Sequence, residues 1–122
     1  MQVISVASAA ASLAELWSPR VVGEVDDAYV KVAKVHGEFV WHSHEHEDEL
    51  FLVLGGHLRI ELEDRVAELG TGDLFIVPKG VRHRPIAREE CLLMLVERKS
   101  TLHTGEEATS LSRSLSDQLR PL

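Results

Sequence analysis

The sequence is poor in cysteine and basic residues and has no long hydrophobic run, and each shortage excludes a class of protein. The single cysteine, Cys91, excludes an internal disulfide and fits a reducing compartment. No apolar stretch approaches the roughly 20 residues that a membrane-spanning helix requires. The formal net charge of −7 argues against nucleic acid or an anionic membrane as a partner, because both are bound through basic patches.

Two local features bear on location and thiol chemistry. Ala7-Ser8-Ala9 resembles a signal-peptide cleavage site, but no basic segment and no dense apolar segment precede it, so we expect a cytoplasmic protein. Cys91 opens an apolar run that extends to Val96. Because reactive thiols need an electropositive and partly open setting, this run predicts a buried, unreactive cysteine.

The middle of the chain consists of short apolar and β-branched runs broken by turn residues. The predicted strands are Tyr29 to His36, Glu38 to His44, Glu49 to Leu54, His57 to Glu63, Arg65 to Leu69, Asp73 to Val77, Val81 to Ala87 and Cys91 to Arg98. No segment between them is long enough for the helix of a parallel crossover. The pattern therefore predicts an all-β protein, an antiparallel sandwich or barrel.

The two ends of the chain differ from this middle part. Residues 7–17 predict a short helix that Pro19 terminates. After Lys99 the chain becomes polar, with leucines at helical spacing, so a short docking helix and a frayed end both fit. We expect one domain in three parts, namely an N-terminal helical segment at 1–20, a β-barrel at 21–100 and a polar C-terminal tail at 101–122.

Side-chain alternation bears on assembly. In a strand at 38–44 whose histidines face the barrel interior, Phe39 and Trp41 would face outward and need a cover. Two later runs, at 50–54 and 92–96, are apolar on both faces, which is typical of strands buried on both sides. A second copy of the chain would supply that cover, so we expect a homodimer. A monomer whose own helices cover the apolar area is the alternative.

The segment from Trp41 to Glu49 is the strongest chemical signal, with three histidines and four carboxylates. Residues i and i+2 of a strand share a face, so His42 and His44 can converge on one ion. Glu49 opens the next predicted strand and can reach the same point. Two histidines and one carboxylate on one side of an ion leave other coordination positions open. A solvated acidic turn is the alternative interpretation of this segment.

A second pattern lies further along the chain, where Gly72 precedes Pro78-Lys79-Gly80 and then His83. Together with Gly37, His42-Ser43-His44, Glu49 and Gly56, this pattern resembles the two motifs of a small single-domain cupin. Four residues separate Gly37 from His42, one fewer than in the family motif, and Ala87 stands where the second motif ends on asparagine. Neither difference removes a potential ligand.

The resemblance implies an antiparallel double-stranded β-helix, the jelly-roll barrel. It also implies that His42, His44, Glu49 and His83 hold a divalent first-row transition metal. Similar proteins hold iron, manganese, nickel, copper or zinc, often as dimers, and nitrogen and oxygen ligands do not distinguish among these metals.

The other histidines and two arginines are predicted to lie outside the ligand set. We expect His46 at the surface or beside the ligands, because it lacks the spacing to Glu49 that the His42/His44 pair has. Surface positions beside turns are expected for three more histidines, which are His36, His57 and His103. Arg82 and Arg84 flank His83, and either a solvated face or a grip on an anionic substrate fits them.

Two classes of function are compatible with such a site. The first is a metalloenzyme acting on a small molecule by oxygenase, isomerase or lyase chemistry. Its pocket would be lined in part by Val40, Phe51 and Val53, and the sequence offers no evident general base. The second class is a non-catalytic, metal-stabilised module that binds or senses a ligand. The fold alone does not decide between them.

Overall fold

The computed structural model describes residues 1–105 and 108–122. None of the helices within these ranges is long and apolar enough to cross a membrane. The elements in chain order are α1 (Val6–Ala11), β1 (Arg20–Val25), β2 (Ala28–Glu38), β3 (Glu49–Gly55), β4 (His57–Leu62), β5 (Val66–Gly70), β6 (Leu74–Val77), β7 (His83–Arg98) and α2 (Leu115–Gln118).

The seven strands form one sheet in which every pairing is antiparallel. The strand order is β1-β2-β7-β3-β6, and β4 pairs with both β5 and β7. Strand β7 is 16 residues long. Its first part pairs with β4 and its last part lies between β2 and β3, so one strand belongs to both halves of the barrel. The prediction of an all-β, jelly-roll protein with a short helix near the N-terminus is confirmed.

Strand β7 replaces the two strands predicted at 81–87 and 91–98. The charged residues Arg88, Glu89 and Glu90 indicated a turn between those strands, and that prediction is wrong. Opposite them, the register of β2 shifts between Val35 and Gly37, so the three charged residues bulge outward and stay exposed. A bulge lets the strand bend and continue where the sequence pattern indicates a break.

The strand predicted at Glu38–His44 does not form. Gly37 has a positive φ of 89°, and beyond Glu38 the chain runs without regular pairing until a single bridge joins His42 to His83. Strict alternation of the side chains therefore fails. Phe39, expected to face outward, is buried in the core and stacks on Trp17 with 4.8 Å between ring centroids.

The barrel interior is filled by apolar side chains from the inward face of the sheet. Its buried members include Val35, Phe39, Phe51, Val53, Leu58, Ile60, Leu69, Val77, Cys91, Leu93 and Leu95. Cys91 is fully buried, and burial raises the pKa of its thiol to about 11, which agrees with the predicted unreactive cysteine. Two rings of this core, Phe39 and Phe51, pack edge-on against His42 and His83.

Helix α1 lies on the outer face of the sheet. It is shorter than the predicted 7–17 helix because it ends at Ala11, and Trp17 adopts a left-handed φ of 54° beyond it. Ala10 and Leu13 pack on Val32 of β2, so this segment covers one part of the outer face.

The rest of the outer face carries two aligned apolar rows. One row runs across four strands through Val30, Val96, Leu50 and Ile76, and the other runs through Val32, Met94, Leu52 and Leu74. Beyond α1 these side chains are half-buried or exposed, and Ile76 on the edge strand is 49% exposed. The part of the predicted apolar outer face that comes from the runs at 50–54 and 92–96 is therefore present, whereas Phe39 is not part of it.

The C-terminal tail packs against the barrel through both polar and apolar contacts. Its leucines Leu115 and Leu119 are exposed, whereas Gln118 of α2 is buried. The Gln118 Oε1 atom accepts a hydrogen bond of 2.6 Å from Lys31 Nζ, inside the sheet. Of the two interpretations of the tail, the structure shows a short docked helix, held by the Gln118 amide group, and Leu111 before it packs against the core.

Candidate metal centre

Four side chains from three parts of the chain meet at one point inside the barrel. His42 and His44 come from the segment between β2 and β3, Glu49 opens β3 and His83 opens β7. All four are buried, and their ligand atoms lie within 4.8 Å of one another. The structure thus brings together the four residues that the sequence singled out as metal ligands.

Backbone carbonyls orient two of the imidazoles. His42 Nδ1 lies 3.0 Å from the carbonyl oxygen of Val40, and His83 Nδ1 lies 3.0 Å from that of Val81. A carbonyl oxygen only accepts, so each Nδ1 carries the proton and each Nε2 presents a lone pair to the centre of the site. Histidines that bind metal usually donate their second ring N–H in this way.

These nitrogen atoms lie close to a carboxylate oxygen, which is also an acceptor. A positively charged group is therefore needed between the two acceptors. His83 Nε2 lies 3.3 Å and His44 Nε2 lies 3.5 Å from the same oxygen, Glu49 Oε1. Both ring nitrogens of His44 are buried without a hydrogen-bond partner among the described residues. Either a proton or a cation must offset this arrangement, because buried acceptors without a donor are costly. The donor set fits a divalent ion.

The site favours the protonation states that bind metal. Burial, above all, lowers the pKa of His42 to about 4, so this imidazole is neutral at physiological pH. Burial alone would raise the pKa of Glu49, but the neighbouring imidazoles of His44 and His83 hold it well below its usual range. Neutral imidazoles and an ionised carboxylate are the forms that coordinate a cation.

A second buried carboxylate lies behind Glu49. Glu97 of β7 is paired in register with Glu49 of β3. Its Oε1 atom is 2.6 Å from Lys31 Nζ, which also contacts Gln118. Burial and the neighbouring Glu49 charge raise the pKa of Glu97 well above its usual range. Sequence reasoning missed this network, although Lys31 and Glu97 occupy inward positions of apolar strands, where charged side chains are rare.

A small cavity of about 30 Å³ borders the metal ligands. It is lined mainly by apolar and aromatic side chains, which are Trp17, Pro19, Ala33, Val35, Phe39, Phe51, Pro85, Leu93 and Leu95, together with His42, Glu49 and His103. Of the three predicted lining residues, Phe51 borders the cavity. Val53 is buried in the core and Val40 packs against that core, so neither borders it. Phe39 takes their place because the segment before His42 is irregular.

Of the four remaining histidines, three are exposed as predicted and one is not. His36, His46 and His57 are exposed, as expected. His103, predicted at the surface, lines the cavity, and burial lowers its pKa to about 4. The only sequence signal for its position is Gly105, two residues later, whose backbone has a positive φ of 63° and approaches Ser43 closely.

The two arginines beside His83 have different surroundings. Arg84 lies 2.7 Å from Glu61 and stacks over Trp41 with 5.5 Å to the ring centroid. This arginine is therefore committed to an ion pair on the barrel surface, which disfavours a grip on substrate. Arg82 is exposed.

The buried titratable groups predict how acid affects the metal-free protein. The pKa values of His42 and His103 are near 4 in the folded state and about 6.5 when unfolded, so unfolding takes up two protons between these pH values. Glu97 has its pKa raised in the fold and releases a proton on unfolding, which offsets one of them.

Net proton uptake on unfolding means that stability falls as pH is lowered. We expect the free energy of unfolding to be lower at pH 5 than at pH 7 by roughly 2 kcal/mol. Urea denaturation with a chelator present measures this change. A His103→Gln variant should lose much of the dependence, and a stability that rises toward pH 5 would contradict the assignment.

Comparisons with known proteins agree with this architecture. Residues 28–97 match the family model described as a cupin domain. The chain is 39% identical over 79 residues to the uncharacterised protein YdbB of Bacillus subtilis, a match that covers 64% of this chain and 70% of YdbB.

Two crystal structures extend the comparison. A cupin-2 domain containing protein from Shewanella frigidimarina is 43% identical, with a TM-score of 0.76 over 79% of this chain and 94% of its own. Protein NMB1881 from Neisseria meningitidis is 26% identical, with a TM-score of 0.72 over 80% of this chain and 99% of its own. From its sequence match and its barrel, the chain belongs to the cupin-domain family.

Proposed function

We propose that this protein is a metalloenzyme that binds one divalent first-row transition ion through His42, His44, Glu49 and His83 and acts on a small molecule. The observation that carries the metal proposal is the short approach of His83 Nε2 to Glu49 Oε1, at 3.3 Å. Because Nδ1 of the same ring donates to the carbonyl of Val81, the neutral ring has no proton to place in that gap. A cation satisfies both atoms at once.

The proposal of catalysis follows from the cavity beside the ligands. A bound ion with open positions would act as a Lewis acid toward a carbonyl or hydroxyl oxygen, or support oxygen chemistry. The chain contributes apolar walls, including Trp17 and Phe39, which exclude water and strengthen electrostatic interactions near the ligands. Oxygenase, isomerase and lyase reactions all fit this environment, as do iron, manganese, nickel, copper and zinc.

The experiment that tests catalysis compares turnover with binding. Protein loaded separately with iron, manganese and zinc is offered a panel of small hydroxy, keto and phenolic acids, with and without dioxygen. We expect product with at least one metal, and none with the His83→Ala variant. Saturable binding without product across the panel would instead support the alternative, a non-catalytic ligand-binding or sensor module.

We also propose that a second copy of the chain covers the outer apolar rows. Leu50, Val96 and Ile76 align across three strands and extend to the open edge at β6, beyond the reach of α1. A contiguous apolar face of this kind is typical of a subunit interface.

A charge placed on that face should weaken the dimer. Lysine at Ile76 would have to bury an unpaired ammonium group in the interface, so we expect Ile76→Lys to shift the protein toward the monomer at micromolar concentration. Light scattering coupled to size exclusion measures the mass. Val66→Lys is the matched control, because Val66 is 39% exposed on β5, away from the two rows. A monomeric unsubstituted protein would contradict the proposed dimer.

A further inference from the structure

We propose that the C-terminal tail supplies a ligand-recognising residue, in which His103 donates its Nε2–H to an oxygen of a small carboxylate bound beside the metal. This inference rests on the proposed metal site and goes further, since it assigns a substrate-contacting role to a residue outside the matched domain at 28–97. Three observations support it. They are the close packing of the tail on the ligand segment, the tautomer of the His103 ring and the composition of the cavity.

The first feature is the fixed position of the tail. At Gly105 a Cβ atom would overlap the carbonyl oxygen of Ser43, which lies between the two ligands His42 and His44. Thr104 is buried, and its Oγ1 atom is 2.5 Å from Ser112 Oγ. The backbone that bears His103 is therefore packed directly against the segment that bears two ligands.

The second feature is the tautomer of His103. The backbone N–H of Arg113 donates to His103 Nδ1 at 2.9 Å, so Nδ1 is the unprotonated nitrogen of the ring. In the neutral ring the proton is then on Nε2, on the other side from Arg113. The ring packs against Phe39 with 5.1 Å between centroids and borders the cavity. This geometry orients an N–H donor for a ligand and leaves no acceptor on that side.

The third feature is the composition of the cavity. Among its lining residues in the described part of the chain, the titratable side chains are His42, Glu49 and His103, and the rest of the wall is apolar or aromatic. A divalent ion beside one carboxylate leaves a net positive charge, which favours an anionic oxygen. One donor, one cation and apolar walls together suit a carboxylate with a short aliphatic body.

The size of the cavity narrows the ligand further. A volume of about 30 Å³ is room for about two water molecules with the tail in place. The ligand therefore has few non-hydrogen atoms beyond those that replace water on the ion. Isobutyrate, a small branched carboxylate, is a suitable probe of this chemistry.

The experiment uses the full chain loaded with cobalt(II), whose visible absorption changes when a new ligand enters its coordination sphere. Isobutyrate is titrated into the unsubstituted protein, His103→Phe and His103→Gln. We expect His103→Phe, which keeps a ring but removes the donor, to weaken isobutyrate binding about tenfold or more. The glutamine amide restores a donor, so His103→Gln should recover part of the affinity. Cobalt affinity should stay within about threefold in both variants.

Two further variants separate the donor role from general damage. His57→Phe replaces an exposed histidine of β4 and should bind isobutyrate like the unsubstituted protein. Gly105→Ala displaces the tail from Ser43 and should weaken isobutyrate binding by a factor similar to that of His103→Phe. Thermal unfolding of each variant checks that the barrel is intact.

The outcomes separate the inference from the metal proposal. Failure of the unsubstituted protein to bind cobalt would overturn the proposed metal site and this inference with it. If cobalt binds but isobutyrate does not, or binds His103→Phe as tightly as the unsubstituted protein, the metal proposal stands and the role of His103 is overturned. Loss of affinity in His103→Phe with recovery in His103→Gln supports it.

Discussion

Replacing His83 with alanine should weaken the binding of a divalent metal by on the order of 100-fold or more, since losing even a hydrogen-bond partner of a ligand costs roughly 10–100-fold. His83 is fully buried, opens β7 and pairs with His42 through a single bridge, so it brings a ligand from a distant part of the chain. Isothermal titration with zinc or cobalt, together with the metal content of the purified protein, measures the loss. His44→Ala should have a similar effect.

His46→Ala is the matched control for these variants. His46 lies two residues beyond His44 in the same acidic segment but is exposed. If local acidity alone attracts the metal, all three variants would keep equal affinity, and the four-residue site would be refuted. If the site is as proposed, the His46 variant should bind like the unsubstituted protein.

Replacing Lys31 with methionine should lower the free energy of unfolding of the metal-free protein by about 3–5 kcal/mol. Lys31 is buried, and its ammonium group is 2.6 Å from the carboxyl group of Glu97. Glu97 lies directly opposite Glu49 in the register of β7 and β3. Removing the cation leaves two buried carboxyl groups side by side with no positive partner. Urea denaturation with a chelator present measures the change.

Two companion variants show whether the loss comes from the unpaired acid. Lys31→Met combined with Glu97→Met removes both members of the buried pair and should recover most of the stability, because apolar residues often replace a buried polar pair without cost. Lys99→Met breaks the exposed pair with Glu24 and should change stability much less. A Lys31 variant no less stable than Lys99→Met would show that the buried pair does not hold the tail and sheet together.

The strand content and the four potential ligands could be predicted because their signals are local. Period-two apolar runs mark most of the strands, and glycine and proline mark most of the turns between them. Two exceptions are the strand predicted at 38–44, which does not form, and the turn predicted at 88–90. The charged residues 88–90 indicate a break, but opposite the register shift between Val35 and Gly37 they form a bulge inside the continuous strand β7. The pairing partner decides between a turn and a bulge, and a single sequence does not name that partner.

The parts of the site that escaped prediction depend on distant partners. Lys31 contacts Glu97 at a separation of 66 positions and Gln118 at 87. Seen alone, each is an ordinary polar residue. His103 likewise follows a turn, where a surface position is the usual outcome, until Gly105 places it against the ligand segment. The ligands belong to recognisable motifs, whereas the residues that surround and hold them are defined only by tertiary packing.

The course of β7 has a consequence for how the protein folds. Its N-terminal residue His83 is a potential ligand, its Glu97 supports another, and between them it pairs with β4, β2 and β3 in turn. These are contacts of high sequence separation, which form slowly because the chain must close long loops first. The ligands therefore come together only when most of the barrel is built. We expect the ion to enter a nearly completed fold and to retard its unfolding, and not to act as the nucleus around which the chain collapses.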